Sequence, residues 1–145
     1  MTGPIDTNKS KATLAGLSLI AAAALWCSAA CADQTASYNE TQATRGALVY
    51  EQYCTSCHGA QLQGNPAAPL VGAPFQSRWM DGQHTLDDLF YIVRTQMPYN
   101  APASLSKQQY VDVLAFVLKA NGFPAGGAEL PPQSAALRSM MLAPH

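Results

Sequence analysis

The sequence predicts an all-α domain of three main helices joined by long loops. Two segments carry apolar side chains at helical spacing behind recognisable capping residues, over 85–98 and 106–122. No segment alternates β-branched and polar residues as half-buried strands do, and no repeat with a period of about 20–50 residues is present. Between the helices lies a stretch too rich in proline and glycine for a long helix.

The chain has 145 residues, enough for one domain, and its start reads as an address label. Lys9 and Lys11 precede an apolar run from Ala12 to Trp26, followed by the small residues Ser28, Ala29, Ala30 and Ala32, the layout of a secretory signal. That run is shorter than the roughly 20 residues a membrane-spanning helix needs, which favours cleavage over anchoring. The expected organisation is therefore a signal peptide over 1–32, a helical domain over 33–123 and a tail over 124–145. Cleavage before Cys31 with a lipid on that cysteine is the alternative exit, and the only one that leaves the protein attached to a membrane.

After residue 32 the chain carries six basic and eight acidic side chains, a formal charge of −2, with no run of one sign. Such a surface lacks the basic stripe that follows a phosphate backbone, so nucleic acid is not an expected partner. Cys27 and Cys31 fall in the leader, leaving the domain one cysteine pair, Cys54 and Cys57.

The first helix is expected to begin near Asn39 or Thr41, either of which can cap it, and to run through Gly46, Tyr50 and Tyr53 into Cys54. From Gly59 to Gly82 the prolines 66, 69 and 74 with Gly64 and Gly72 predict a loop. A loop that long in a small domain is abnormal unless it wraps something. Thr85 with Asp88 opens the second helix, placing Leu86, Leu89, Phe90 and Val93 on one face, and Pro98 stops it. Ser106 with Gln109 opens the third, which carries Tyr110, Val113, Leu114 and Val117 on one stripe and closes at Asn121 and Gly122. After the Pro/Gly-rich stretch 123–133, a short apolar piece over 135–142 is expected to form one or two helical turns, with the tail lying along the surface.

The chemistry sits at Cys54-Thr55-Ser56-Cys57-His58. Cys-x-x-Cys-His is the spacing at which two thiols add across the two vinyl groups of one haem while the adjacent histidine reaches the iron. Other uses of the pair explain less. A thioredoxin-type dithiol wants a strand before it and a helix after it, the reverse of the order here. Zinc needs four ligands, and beyond these three only His84, His145 and carboxylates remain, without paired spacing. A plain disulfide accounts for neither His58 nor the long loop.

A second axial ligand must come from elsewhere. Met97 follows the second helix and is stiffened by Pro98, in a polar stretch (Gln96, Pro98, Asn100, Pro102) that does not read as core. Met80 in the loop and His84 beside the helix cap are the competitors, and an open sixth position is the remaining alternative.

With these residues in view the chain resembles the class I cytochromes c: Gly46-x-x-x-Tyr50 before Cys54-x-x-Cys-His58, then Leu70-x-Gly72, Met97-Pro98 and an aromatic C-terminal helix, over Arg45 to Asn121. The resemblance implies a cytochrome c fold wrapped around one haem c and its iron, attached through Cys54 and Cys57. It implies axial ligands His58 and Met97, with Leu70 packed on the haem. It also implies a close crossing of the terminal helices at Gly46, flanked by Tyr50 and Phe116, and aromatics Phe75 and Trp79 around the haem edge and propionates. In the family a loop proline two residues before the leucine offers its carbonyl to the histidine ligand; here that position is Ala68, with Pro69 as the other candidate acceptor.

The expected activity is one-electron carriage in the periplasm, in a respiratory or dehydrogenase-linked chain. The stretch from Arg94 to Ser106 is similar to small cytochromes whose partners are redox proteins, with a quinoprotein dehydrogenase as donor and a terminal oxidase or another cytochrome as acceptor. The rival readings are a haem subunit of a dehydrogenase complex and a haem enzyme or gas sensor with an open sixth site.

Overall fold

The structure, a computed structural model, describes residues 1–3, 34, 35 and 37–143. The chain divides into two compact units, Met1–Ala30 and Cys31–His145. Apart from Met1–Gly3, the leader expected over 1–32, including Cys27 and Cys31, lies outside the described residues.

The second unit is helical. Helix α1 spans Glu40–Tyr53, α2 is the short turn Thr55–His58, α3 spans Gly72–Trp79, α4 Leu86–Gln96, α5 Lys107–Ala120 and α6 Ser134–Leu137. Two two-residue strands, β1 (Gln34–Thr35) and β2 (Met140–Met141), pair in parallel and tie the beginning of the unit to its end. No helix among the described residues is long and apolar enough to cross a membrane.

The caps read from the sequence position the main helices. Asn39 Oδ1 accepts the Gln42 backbone N–H at 2.8 Å and starts α1. Thr85 with Asp88, and Ser106 with Gln109, form reciprocal capping boxes at the heads of α4 and α5. Helix α5 is the centre of the unit, with Tyr110–Ala115 and Val117–Leu118 all buried, and α1 packs along it.

The crossing of α1 and α5 depends on Gly46. A Cβ placed there would lie 1.8 Å from the Asp112 carbonyl oxygen, so only a residue without a side chain lets the backbones meet. Tyr50 and Phe116 flank the contact with ring centroids 5.2 Å apart and planes tilted by 51°. Beside it the Arg45 guanidinium forks onto Asp112 with two 3.0 Å bonds and reaches Glu129 as well.

Two expectations change. The stretch 59–82 is not loop throughout: α3 occupies Gly72–Trp79. Pro74 falls in the first turn of that helix, where a backbone N–H has no acceptor inside the helix, so a residue read as a breaker sits where helices tolerate it. The tail carries the short helix α6 and is not confined to the surface. Leu130, Leu137 and Leu142 are each at most 1% exposed, and Gln42, itself fully buried, holds Leu130 by both backbone groups.

Candidate functional site

Helix α1 ends at Cys54, whose N–H still bonds to the Tyr50 carbonyl, and the chain turns directly into α2. Cys54 and Cys57, three residues apart, are both free thiols; Cys54 is half-buried and Cys57 exposed. Burial, and then the neighbouring Cys57, pushes the Cys54 thiol up to about 11, so it is protonated and uncharged at neutral pH. The Tyr50 hydroxyl donates to the Gly59 carbonyl at 2.6 Å, fastening the exit from the Cys-x-x-Cys-His turn to α1. Gly59 itself has φ +79°, and a side chain there would run into Gln63.

The ring of His58 is oriented by the loop that follows. Its Nδ1 lies 2.8 Å from the Ala68 carbonyl oxygen. A carbonyl can only accept, so Nδ1 carries the proton and Nε2 is left with a free lone pair, the tautomer an iron ligand requires. Of the two acceptors considered from the sequence, Ala68 is the one used. The loop is itself cross-braced: Gly64 N–H bonds to the His58 carbonyl, Ala67 N–H to Cys57, and Leu70 N–H to Leu62, at 2.8–3.0 Å. Leu70 packs against the core, and its carbonyl accepts a bond from Asn121 Nδ2 at 2.8 Å.

Met97 caps the end of α4 in extended conformation, half-buried, with buried Pro98 next to it. Its backbone N–H still reaches the Val93 carbonyl, and its own carbonyl accepts the Tyr110 hydroxyl at 2.6 Å. The competing thioether, Met80, is 7% exposed and part of the hydrophobic core. His84 is engaged twice, by Asp81 at 2.9 Å and edge-on by Trp79.

Phe75 and Trp79, one turn apart on α3, are both buried. Beside Trp79 a cavity of about 450 Å³ opens between α3, α4 and the tail, lined among others by Arg78, Tyr91, Ile92 and Arg138. Arg78 is exposed and stacks over the Trp79 ring at 5.2 Å. The loop bonds thus bring Cys57, His58 and Leu70 together, while Met97 is held separately through α5. Sequence reasoning passed over Tyr110 and Asn121 as supports. Both read as parts of the third helix, one as core stripe and one as terminator, and nothing in periodicity reports where a hydroxyl or carboxamide points.

These residues fit a covalently attached haem. Two free thiols sit at the attachment spacing, and the next residue is a histidine whose one unclaimed nitrogen is Nε2. A family model described as Cytochrome C oxidase, cbb3-type, subunit III matches residues 41–117, more than half of the chain. The chain belongs to this family. It is a class I c-type cytochrome with an all-α fold, a covalently bound haem c with its iron, and haem-based electron transfer as its chemistry. Among solved structures, a chain described as "Crystal Structure of the Sulfane Dehydrogenase SoxCD from Paracoccus pantotrophus" is similar to this cytochrome with a TM-score of 0.48 and 24% identity. The likeness covers 57% of this chain and 44% of that one, so this cytochrome spans less than half of that chain's length. No curated protein matches it.

Proposed function

We propose that this cytochrome is a periplasmic one-electron carrier whose iron is held between His58 and Met97, and that it passes electrons between redox proteins without catalysing a reaction of its own. The observation that carries the reading is the 2.8 Å contact from His58 Nδ1 to the Ala68 carbonyl, which leaves one imidazole nitrogen free beside two unpaired thiols.

The haem supplies the one-electron ferric/ferrous couple; the chain supplies its attachment, orientation and surroundings. Cys54 and Cys57 would tether it, and the Ala68 carbonyl keeps the His58 ring in the tautomer that can ligate. Met97 offers a soft thioether that favours the ferrous state, and a wall of apolar side chains around Leu70, Phe75 and Trp79 disfavours the extra charge of the ferric state. Both push the midpoint potential to positive values. With His58 and Met97 both available to hold the iron, little of the chain would have to move on one-electron transfer.

The small net charge of the sequence after residue 32 gives only mild long-range steering, so docking to a donor or acceptor depends on short-range apolar contact and varies weakly with salt. By the resemblance of Arg94–Ser106, the donor is a quinoprotein dehydrogenase and the acceptor a terminal oxidase or another cytochrome. The basic and apolar start of the sequence supports export.

The test is the ferric absorption spectrum of the purified holoprotein and of Met97→Ala. The weak far-red band of thioether-bound ferric iron is expected in the wild type and absent from the variant, with covalent haem retained in both. A wild type without that band, binding small exogenous ligands freely, would overturn the carrier reading in favour of a haem enzyme or gas sensor. Mass spectrometry of the mature protein checks export through its first residue, any lipid on Cys31 and one haem.

A further inference from the structure

The segment from Met97 to Ser106 connects α4 to α5 with little of its own to hold it. Residues 99–104 are all exposed. Inside the segment the Ala101 N–H bonds to Pro98 at 2.8 Å, whereas Ala103 to Met97 and Ser104 to Ala101 are both stretched to 3.3 Å. Ala103 also carries a positive φ of 61°, unfavourable for a residue with a Cβ.

Against this loose span stands one buried side chain. Tyr110 is 2% exposed, and its hydroxyl makes two bonds at once: it donates to the Met97 carbonyl at 2.6 Å and accepts from the Leu105 N–H at 3.3 Å. The roles are fixed, because a carbonyl cannot donate and an amide N–H cannot accept. One phenol therefore clasps both ends of the segment, and a hydroxyl that donates while it accepts is polarised so that each bond strengthens the other.

We propose that Tyr110 is the positioning residue for Met97: its hydroxyl fixes the backbone from which the thioether reaches the iron, and so sets how easily another ligand displaces that thioether. The inference rests on the assignment of Met97 as axial ligand. In Tyr110→Phe the ring keeps its packing, while the Met97 carbonyl loses its shortest bond and the Leu105 N–H its partner. The effect falls on the freedom of the segment and leaves the core in place.

The experiment titrates ferric holoprotein with imidazole, an external ligand competing for the thioether's position, and follows the far-red band. Wild type is compared with Tyr110→Phe, Tyr110→Leu and Asn121→Ala, and the thermal midpoint of each is recorded. Tyr110→Phe is expected to keep its haem and its far-red band yet to bind imidazole about fivefold to tenfold more tightly, the size of the lost bond to the Met97 carbonyl. Tyr110→Leu, which also loses the ring, is expected to melt lower still with no larger gain in imidazole affinity. Asn121→Ala is expected to melt lower than wild type with imidazole affinity within twofold of it. Imidazole affinity unchanged in Tyr110→Phe, or affinity that simply tracks the thermal midpoint across all three variants, overturns the proposal. A wild type with no far-red band instead removes the Met97 assignment beneath it, a result recognisable before any variant is made.

Discussion

The two loops that carry the proposed ligands His58 and Met97 are built to different standards. The one after His58 is stitched by backbone bonds that cross it, from Gly64 to His58, Ala67 to Cys57 and Leu70 to Leu62. The His58 ring is pinned within it and Asn121 anchors its far end. The one after Met97 has one good internal bond, two long ones and a single buried clasp in Tyr110. Yet both hang on α5, Tyr110 in its first turn and Asn121 at its end. A carrier needs one ligand that never leaves and tolerates a second that is held less firmly. On the proposed ligation, the difference in bracing gives those parts to His58 and Met97 respectively.

The contrast can be broken most severely at the ligands themselves. His58→Ala is expected to yield protein with little or no covalent haem, whereas Met97→Ala retains a full complement; haem staining of denaturing gels reads the difference directly. Gly46→Ala strikes the support common to both loops. Its methyl would meet the Asp112 carbonyl, backbone that cannot step aside, so a loss of about 3 kcal/mol is expected in denaturant unfolding. Both ligand sites should weaken together in that variant.

Smaller changes sharpen the contrast by touching one side at a time. Asn121→Ala removes the bond to the Leu70 carbonyl and should cost about 1–2 kcal/mol of unfolding free energy in denaturant titration, with the far-red band unchanged. Ala103→Gly relieves the left-handed backbone of the methionine segment, a gain of about 1–2 kcal/mol largely offset by the extra freedom glycine has when unfolded. A net stabilisation of about 0.5 kcal/mol is expected, measured in the same way.

Much of this design is legible in the sequence because it is local. Thr85 with Asp88, Ser106 with Gln109 and the cap at Asn39 are three-residue patterns, and they place α1, α4 and α5 correctly. Cys54-x-x-Cys-His58 is equally short-range. What escapes is what depends on distant partners or on position within a turn. Pro74 reads as a breaker until α3 is seen to start at Gly72. Gln42 looks like one more polar residue on a helix, although it satisfies both backbone groups of Leu130, 88 residues away. Likewise, Tyr110 counts as one apolar position in a stripe, and its hydroxyl becomes informative only when the Met97 carbonyl lies beneath it. The choice of Ala68 as acceptor for His58 was open for the same reason, since it turns on the path of the loop.

The parallel pairing of Gln34–Thr35 with Met140–Met141 brings the entrance and the exit of this unit to one edge. A chain whose ends already meet can be joined there and reopened elsewhere at small entropic cost. A circular permutant linked across that edge and cut in the exposed span 99–104 should therefore still fold and take up haem, with the methionine side alone set loose.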